Sequence, residues 1–346
     1  MLYKCIGLMS GTSLDGLDIA YCEFNYQENK WDYSIKHCRN IPYNNKIRDR
    51  LIEAENTSSL EFVKIDKEFG VFLGEKTKEF IDDYKLEVDF ISSHGQTIFH
   101  QPNINLTTQI GDINSIASIT NTKTIGDFRR KDLALKGQGA PLVPIGDRLL
   151  FSSYPYCLNL GGFSNISFEK KDKRIAYDIC PVNIVLNSLA QREGKPYDKD
   201  GEMAKQGNIN SELLEKLNSL EYYKLQDKKS LGKEWVLENI FPLLASYDIS
   251  NLDLISTYTN HIAIQIANNI NGDVLITGGG AYNKYLISLI QDKINSKITI
   301  PDSIIIDYKE ALIFAFLGVL RLREEINCLS SVTGAIKDSC IGSIVL

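Results

Sequence analysis

Scarce residues exclude several chemistries at the outset. The seven cysteines, at 5, 22, 38, 157, 180, 328 and 340, are odd in number and contain no CxxC pair. This argues against a disulfide framework or a zinc site and for reduced core thiols. The four histidines (37, 94, 100 and 261) show no metal-ligand spacing. No apolar run approaches the ~20 residues of a membrane span. The chain enters its first strand with no basic, apolar and small-residue leader before it, so the expectation is a cytoplasmic protein. Positive charge is also short: 38 Lys and Arg stand against 44 Asp and Glu, a net charge of −6. A nucleic acid or an anionic membrane is therefore not the expected partner, and an anionic ligand has to be held by local geometry. Low-complexity stretches, an evident linker and a solenoid-length repeat are all lacking. The run Asp227-Lys228-Lys229 reads as a solvated loop.

What remains is the composition of a globular protein, 43% hydrophobic and 24% charged. At 346 residues it is too long for one ordinary core, which implies two domains. The pattern predicts strands at 2–6, 19–24 and 31–37, helices at 47–55 and 60–84, and a strand at 88–93. Residues 100–150 read as loop-rich, and 137–144, with two glycines and two prolines, as irregular. The same order then recurs. Strands are expected at 156–160, 166–168 and 174–179, a helix at 182–192, a buried strand at 273–277 and a helix at 282–294. A late helix near 309–325 is apolar on most faces. The predicted division is 1–125 and 126–346, with the last helix packing back on the first domain.

Three glycine-rich turns lie at strand ends: Gly11 to Gly16 within Gly7-Leu8-Met9-Ser10-Gly11-Thr12-Ser13-Leu14-Asp15-Gly16-Leu17-Asp18, then Gly161-Gly162, then Gly278-Gly279-Gly280. Such a turn is a place where backbone N–H groups can point at an anion; equally, Gly, Ser and Asp merely suit tight turns. No GK[ST] follows any of them, and none fits G-x-G-x-x-G after a first strand. Two hairpin turns in duplicated halves, with a third glycine turn, resemble the actin, hexokinase and Hsp70 superfamily. The resemblance implies an α/β fold of two duplicated actin/hexokinase-like (ribonuclease H-like) domains with an interdomain ATP and sugar cleft.

Within that superfamily the motifs resemble the anhydro-N-acetylmuramic acid kinase family along essentially the whole chain. They are the 9–18 turn, Ser93-His94-Gly95-Gln96-Thr97, Gly126-Asp127-Phe128-Arg129-Arg130 with residues 137–144, and Asn159-Leu160-Gly161-Gly162-Phe163-Ser164-Asn165. Residues 194–200, Gly278-Gly279-Gly280 with Asn283, Glu310-Ala311-Leu312 and residues 331–335 extend the match. The resemblance implies an ATP-dependent kinase that opens the 1,6-anhydro ring of 1,6-anhydro-N-acetylmuramic acid with water. It phosphorylates O6, giving N-acetylmuramic acid 6-phosphate for peptidoglycan recycling. Its general base falls on Asp178, for which an N-cap of the following helix is the competing role.

The resemblance assigns ATP to Gly11, Thr12, Ser13, Leu14, Asp15, Gly16, Leu17, Asp18, Gly161, Gly162, Gly278, Gly279, Gly280 and Asn283. Mg²⁺ is implied as cofactor, with Asp15 or Asp18 orienting it, or else serving the turn. Gln96, Thr97, Arg129, Arg130 and Glu310 are the sugar-side candidates. The two arginines suit a lactyl carboxylate, or an ion pair with Asp127 or Asp132. Ser93 and His94, adjacent on a strand, point to opposite faces and do not make a nucleophile–base pair. The expected partners are ATP and an amino sugar, with a homodimer allowed.

The chain departs from the family pattern at Cys180-Pro181-Val182-Asn183, where Gly-Pro-Gly-Asn is expected. It also keeps only part of a Lys-Ser-Thr-Gly-Arg-Glu run at 229–234. An amino-sugar kinase with an ordinary hydroxyl acceptor and a non-catalytic nucleotide-gated binding module are the alternatives. The first would prefer a ring-opened sugar; the second would hydrolyse ATP regardless of sugar.

Overall fold

A computed structural model describes residues 1–225 and 230–346. The expected 227–229 loop and Lys229 of the partial motif lie outside the described residues. The chain forms two compact units, Met1–Leu150 with Tyr308–Leu346, and Phe151–Asp307.

The first unit is built on strands β1 (Leu2–Ser10), β2 (Gly16–Gln27), β3 (Lys30–Pro42), β4 (Phe90–Ser93) and β7 (Thr124–Gly126). A separate hairpin joins β5 (Gln96–Gln101) to β6 (Leu106–Ile110). The central strands are buried on both faces: Cys5, Ile6, Gly7 and Leu8 in β1, and all of β4. Strands covered on both sides read as continuous apolar runs, as these do. One cover is the helix Ser59–Tyr84, whose Ile65, Phe69, Leu73 and Phe80 are buried. Ser58 starts it, its hydroxyl accepting from the Glu61 N–H in a capping arrangement. The other is Ser303–Leu322, which from Tyr308 onward belongs to this unit. It comes so close that a Cβ on Gly7 would lie 2.0 Å from the Ala311 carbonyl oxygen.

The second unit holds β8 (Tyr156–Leu160), β9 (Phe163–Lys170), β10 (Lys173–Pro181), β11 (Val274–Thr277) and β12 (Ile298–Thr299). Its core includes the helix Asn251–Ala267, buried at Ile255, Tyr258, Ile262 and Ile266. The strand orders repeat. In the first unit it is β13-β7-β4-β1-β2-β3, with β13 being Ser343–Val345; in the second it is β10-β9-β8-β11-β12. In both, an antiparallel three-strand meander meets parallel strands at its first strand. This is the duplicated ribonuclease H-like α/β architecture that the superfamily resemblance implies.

The units divide at 150/151 and 307/308, where the sequence reading divides the chain at 125/126. A cut there would split β7 from its own last residue, Gly126. Residues 126–150 are also held to the C-terminal segment: the Gln138 N–H donates to the Thr333 carbonyl, and Thr333 Oγ1 donates to Asp132 Oδ1 at 2.8 Å. Nor is 100–150 mainly loop, since it contains β6, β7 and the helices Ile113–Thr120 and Pro144–Leu150. Residues 137–143 are irregular as expected.

Candidate active site

The first glycine turn is shorter than its motif. Gly7 to Ser10 finish β1 and Gly16 to Asp18 begin β2, so residues 11–15 alone make the turn. Leu14 closes it in a left-handed conformation (φ 55°), its N–H donating to the Gly11 carbonyl. Ser13 Oγ donates to Asp15 Oδ1 at 2.8 Å, and Asn40 donates to Asp18 Oδ1 at 2.8 Å. Thr12, Ser13 and Asp15 are exposed, whereas the Leu17 side chain is in the core. The equivalent turn of the second unit is Gly161 and Gly162, between β8 and β9. Its carbonyls accept the Val182, Asn183 and Ile184 amides that begin the helix Asn183–Arg192. Those amides are consumed by the turn and do not face a ligand. Val182 stands where glycine is expected and meets this geometry with φ −124°, so no left-handed residue is required there.

The glycines separate by what a side chain would meet. At Gly16 a Cβ would lie 2.7 Å from the Ile41 carbonyl oxygen, and at Gly280 it would lie 2.7 Å from Leu160 Cβ. Gly278 is left-handed (φ 81°) and tight against Asn159. Packing explains these three. At Gly162 nothing lies within 4 Å, at Gly279 only Asn183 Nδ2 at 3.8 Å, and at Gly11 only Ser13 Oγ at 3.5 Å. Their protein surroundings do not require glycine.

Gly279, Gly280 and Asn283 line a cavity of about 1070 Å³ within the second unit, together with Asn183, Asn187 and Asp198. Its size suits a small ligand. Asn283 also caps the helix Lys284–Gln291, its side-chain oxygen accepting from the Leu286 N–H.

Asp178 lies on β10 at a bulge in the pairing with β9. The helix that follows has Val182 at its N-cap position, with no side-chain cap bond. The Asp178 carboxylate instead accepts, at Oδ2, from the Leu231 N–H (2.9 Å) and Ser230 Oγ (3.4 Å). Tyr222 donates to its backbone carbonyl at 2.7 Å. Burial raises its pKa above the ordinary Asp value, and the Leu231 and Ser230 bonds partly oppose the rise.

The sugar-side candidates lie in the first unit. Gln96 is buried and accepts from Ser10 Oγ at 2.5 Å; that hydroxyl is also 2.6 Å from the Tyr43 hydroxyl. Thr97 Oγ1 accepts from Gln109 at 3.3 Å. Arg129 donates through Nε (3.2 Å) and Nη2 (2.8 Å) to His94 Nε2, and through Nη1 to the Gly139 carbonyl at 2.7 Å. His94 Nε2 must then be the acceptor, which puts the proton on Nδ1, 2.8 Å from the Gly95 carbonyl. Burial and the neighbouring Arg129 push the His94 pKa down to about 3. Burial lowers the Arg129 pKa to about 10, with Glu310 pulling it back up, so the guanidinium stays charged at neutral pH. Glu310 keeps an exposed side chain, yet surrounding protein raises its pKa, opposed by Arg129 and Lys309. Lys309 in turn pairs with Asp147 at 2.7 Å, both almost fully buried.

Arg130 parts from Arg129. It is exposed and lies 3.5 Å from Asp127, the ion pair that the sequence offered as its other role. Asp132 pairs with neither arginine: it accepts from the Gly139 N–H, Thr333 and Cys328.

The profile of the family described as "Anhydro-N-acetylmuramic acid kinase" matches residues 3–346. The chain belongs to this family. Relatives named anhydro-N-acetylmuramic acid kinase include one from Mannheimia succiniciproducens, 35% identical over 98% of each chain. Another, from Vibrio cholerae, is 34% identical over 98% of this chain and 97% of its own. A solved structure, the Acidaminococcus fermentans (R)-2-hydroxyglutaryl-CoA dehydratase component A, is 12% identical with a TM-score of 0.46 over 90% of this chain and 96% of that one. That likeness is too loose to bear on the site.

In this anhydro-N-acetylmuramic acid kinase family member, the motifs single out the turns, Asp178, Arg129 and Glu310 as candidates. It passed over Leu231 and Ser230 as the anchors of Asp178, His94 as the acceptor for Arg129, and Asp132 as a tether. The signal for His94 was its place in Ser93-His94-Gly95-Gln96-Thr97, beside two sugar-side candidates. Leu231 acts through its backbone N–H, which no side-chain pattern announces. Among the described residues no helix is long and apolar enough to cross a membrane, and no cluster of three or more His, Cys, Asp or Glu is arranged to hold a metal.

Proposed function

We propose that the protein uses ATP to convert 1,6-anhydro-N-acetylmuramic acid into N-acetylmuramic acid 6-phosphate, in cytoplasmic recycling of cell-wall sugars. Family membership along residues 3–346 supports the reaction. The observation that carries the choice of base is the hold on Asp178. Its carboxylate is tied to Leu231 and Ser230 at one oxygen, does not cap a helix, and is made more basic by burial.

Asp178 accepts a proton from water as the water oxygen bonds to C1. The C1–O6 bond breaks, O6 takes the γ-phosphoryl group and ADP leaves. Phosphoryl transfer mainly requires alignment and charge stabilisation. For this we assign the ATP phosphates to residues 11–18 and to Gly161 and Gly162. The nucleoside is assigned to the cavity lined by Gly279, Gly280 and Asn283, with Gly278 shaping its turn. At Gly162 a side chain would meet nothing within 4 Å, and at Gly11 and Gly279 only one side-chain atom at ordinary contact distance, which suits the close approach of a ligand to backbone. Mg²⁺ would be held through water by Asp15 or Asp18, since the ion keeps much of its hydration and needs one or two carboxylates, and it would neutralise phosphate charge.

Arg129 takes the lactyl carboxylate. Three of its five N–H groups are used on His94 and Gly139, which leaves one on each terminal nitrogen among the described residues, enough for a bidentate grip. Arg130 is the weaker candidate because it is paired with Asp127. Gln96, Thr97 and Glu310 serve the sugar hydroxyls and the N-acetyl group.

Comparing substrates tests this. Activity on the anhydro sugar should exceed that on N-acetylmuramic acid and N-acetylglucosamine. A preference for the ring-opened sugars would favour an ordinary hydroxyl acceptor, and ATP hydrolysis indifferent to every sugar would favour a binding module.

A further inference from the structure

His94 lies at the end of β4, with its backbone N–H donating to the Leu8 carbonyl at 3.0 Å. Its ring packs on Phe314, with centroids 4.6 Å apart. That contact and the bond from Nδ1 to the Gly95 carbonyl fix the ring plane. Its Nε2 receives two N–H groups of Arg129 from one edge of the guanidinium, and the Gly139 carbonyl receives a third. Both hydrogen-bond partners of Arg129 are neutral acceptors, so the bonds that hold it do not neutralise it; the carboxylate acting on its charge is Glu310. A carboxylate in place of His94 would neutralise the guanidinium, and an imidazolium would repel it. A neutral Nδ1–H imidazole orients the cation and leaves its charge for another group.

We propose that His94 is a positioning residue: it presents the remaining N–H groups of Arg129 to the carboxylate of the acceptor sugar without itself neutralising the guanidinium. This rests on the reading of Arg129 as the carboxylate-binding residue. His94 itself touches no reacting atom and takes no proton in the reaction. The sequence Ser93-His94 thus serves binding of an acidic sugar and not nucleophilic chemistry.

A double-mutant cycle on the full-length protein separates this role from a merely structural one. His94→Leu removes the acceptor. It should raise KM for the anhydro sugar roughly ten- to hundred-fold, the range for a hydrogen bond to a charged group, and leave KM for ATP unchanged. In an Arg129→Ala background the same change should have no further effect on the sugar KM. His94→Gln, which retains an acceptor oxygen, should recover much of the loss. Equal and additive losses in the two backgrounds, or a rise in the ATP KM, would overturn the proposal. If Arg129→Ala alone leaves the sugar KM unaltered, the reading of Arg129 fails first, a distinct outcome. Should His94→Leu not fold, ¹⁵N NMR of the unaltered protein decides: the Nδ1–H tautomer supports the proposal, and a proton on Nε2 contradicts it.

Discussion

Asp178→Asn is expected to lose turnover by roughly 10²–10⁴-fold, the usual contribution of a general base, while binding ATP as the unaltered protein does. The amide is nearly isosteric and its oxygen can still accept from the Leu231 N–H, so the local geometry survives. What goes is the capacity to take a proton from water. Stability should not fall with it. Burial raises the pKa of Asp178 in the folded protein. Its contribution to stability is therefore present below the unfolded pKa and lost as pH rises through the folded value. At neutral pH the buried charge is a cost that asparagine removes, so Tm should hold or rise. The same shift sets the pH profile. The acid limb of kcat/KM should lie above the ordinary Asp range, with activity falling as pH drops through it. Wild-type turnover in Asp178→Asn, measured with ATP binding by calorimetry, would move the base elsewhere.

The second large effect separates two glycines of similar appearance. Gly162→Val puts a side chain where nothing of the protein lies within 4 Å. Stability should stay within about 0.5 kcal/mol, as for an exposed substitution. The ATP KM should rise roughly ten- to hundred-fold, as expected if ~1–3 kcal/mol of overpacking is met only by the bound nucleotide. Gly280→Val drives its side chain against Leu160, whose Cβ would be 2.7 Å from the new Cβ. It should lower stability by about 1–3 kcal/mol with or without ligand. Thermal melts with and without an ATP analogue, beside ATP kinetics, distinguish the two. An unchanged ATP KM in Gly162→Val would remove this turn from the phosphate site.

The hairpins and glycine turns were legible because their signals are local: apolar runs, a tight polar turn and a return. The repeat followed from seeing that order twice. Arg129 and Arg130 looked equivalent side by side, yet they stand at the start of a helix and leave it in different directions, one to His94 and the other to Asp127. Contacts between distant residues carried no local signal. Asp178 meets Leu231 across 53 residues, and Asp132 meets Thr333 across 201. The second of these explains why 126–150 folds with the first unit. Glycine in the place of Val182 would suggest a left-handed turn, whereas the backbone there stays at negative φ.

In the proposed reaction Asp178 activates water, and not a sugar hydroxyl. The direct measurement is turnover of the anhydro sugar with ATP and Mg²⁺ in ¹⁸O-labelled water, followed by mass spectrometry and NMR of the product. One ¹⁸O is expected at C1 of a 6-phosphorylated sugar, observed before the anomeric hydroxyl can exchange, and none in the phosphate. A product lacking label at C1, or label in the phosphate, would contradict it.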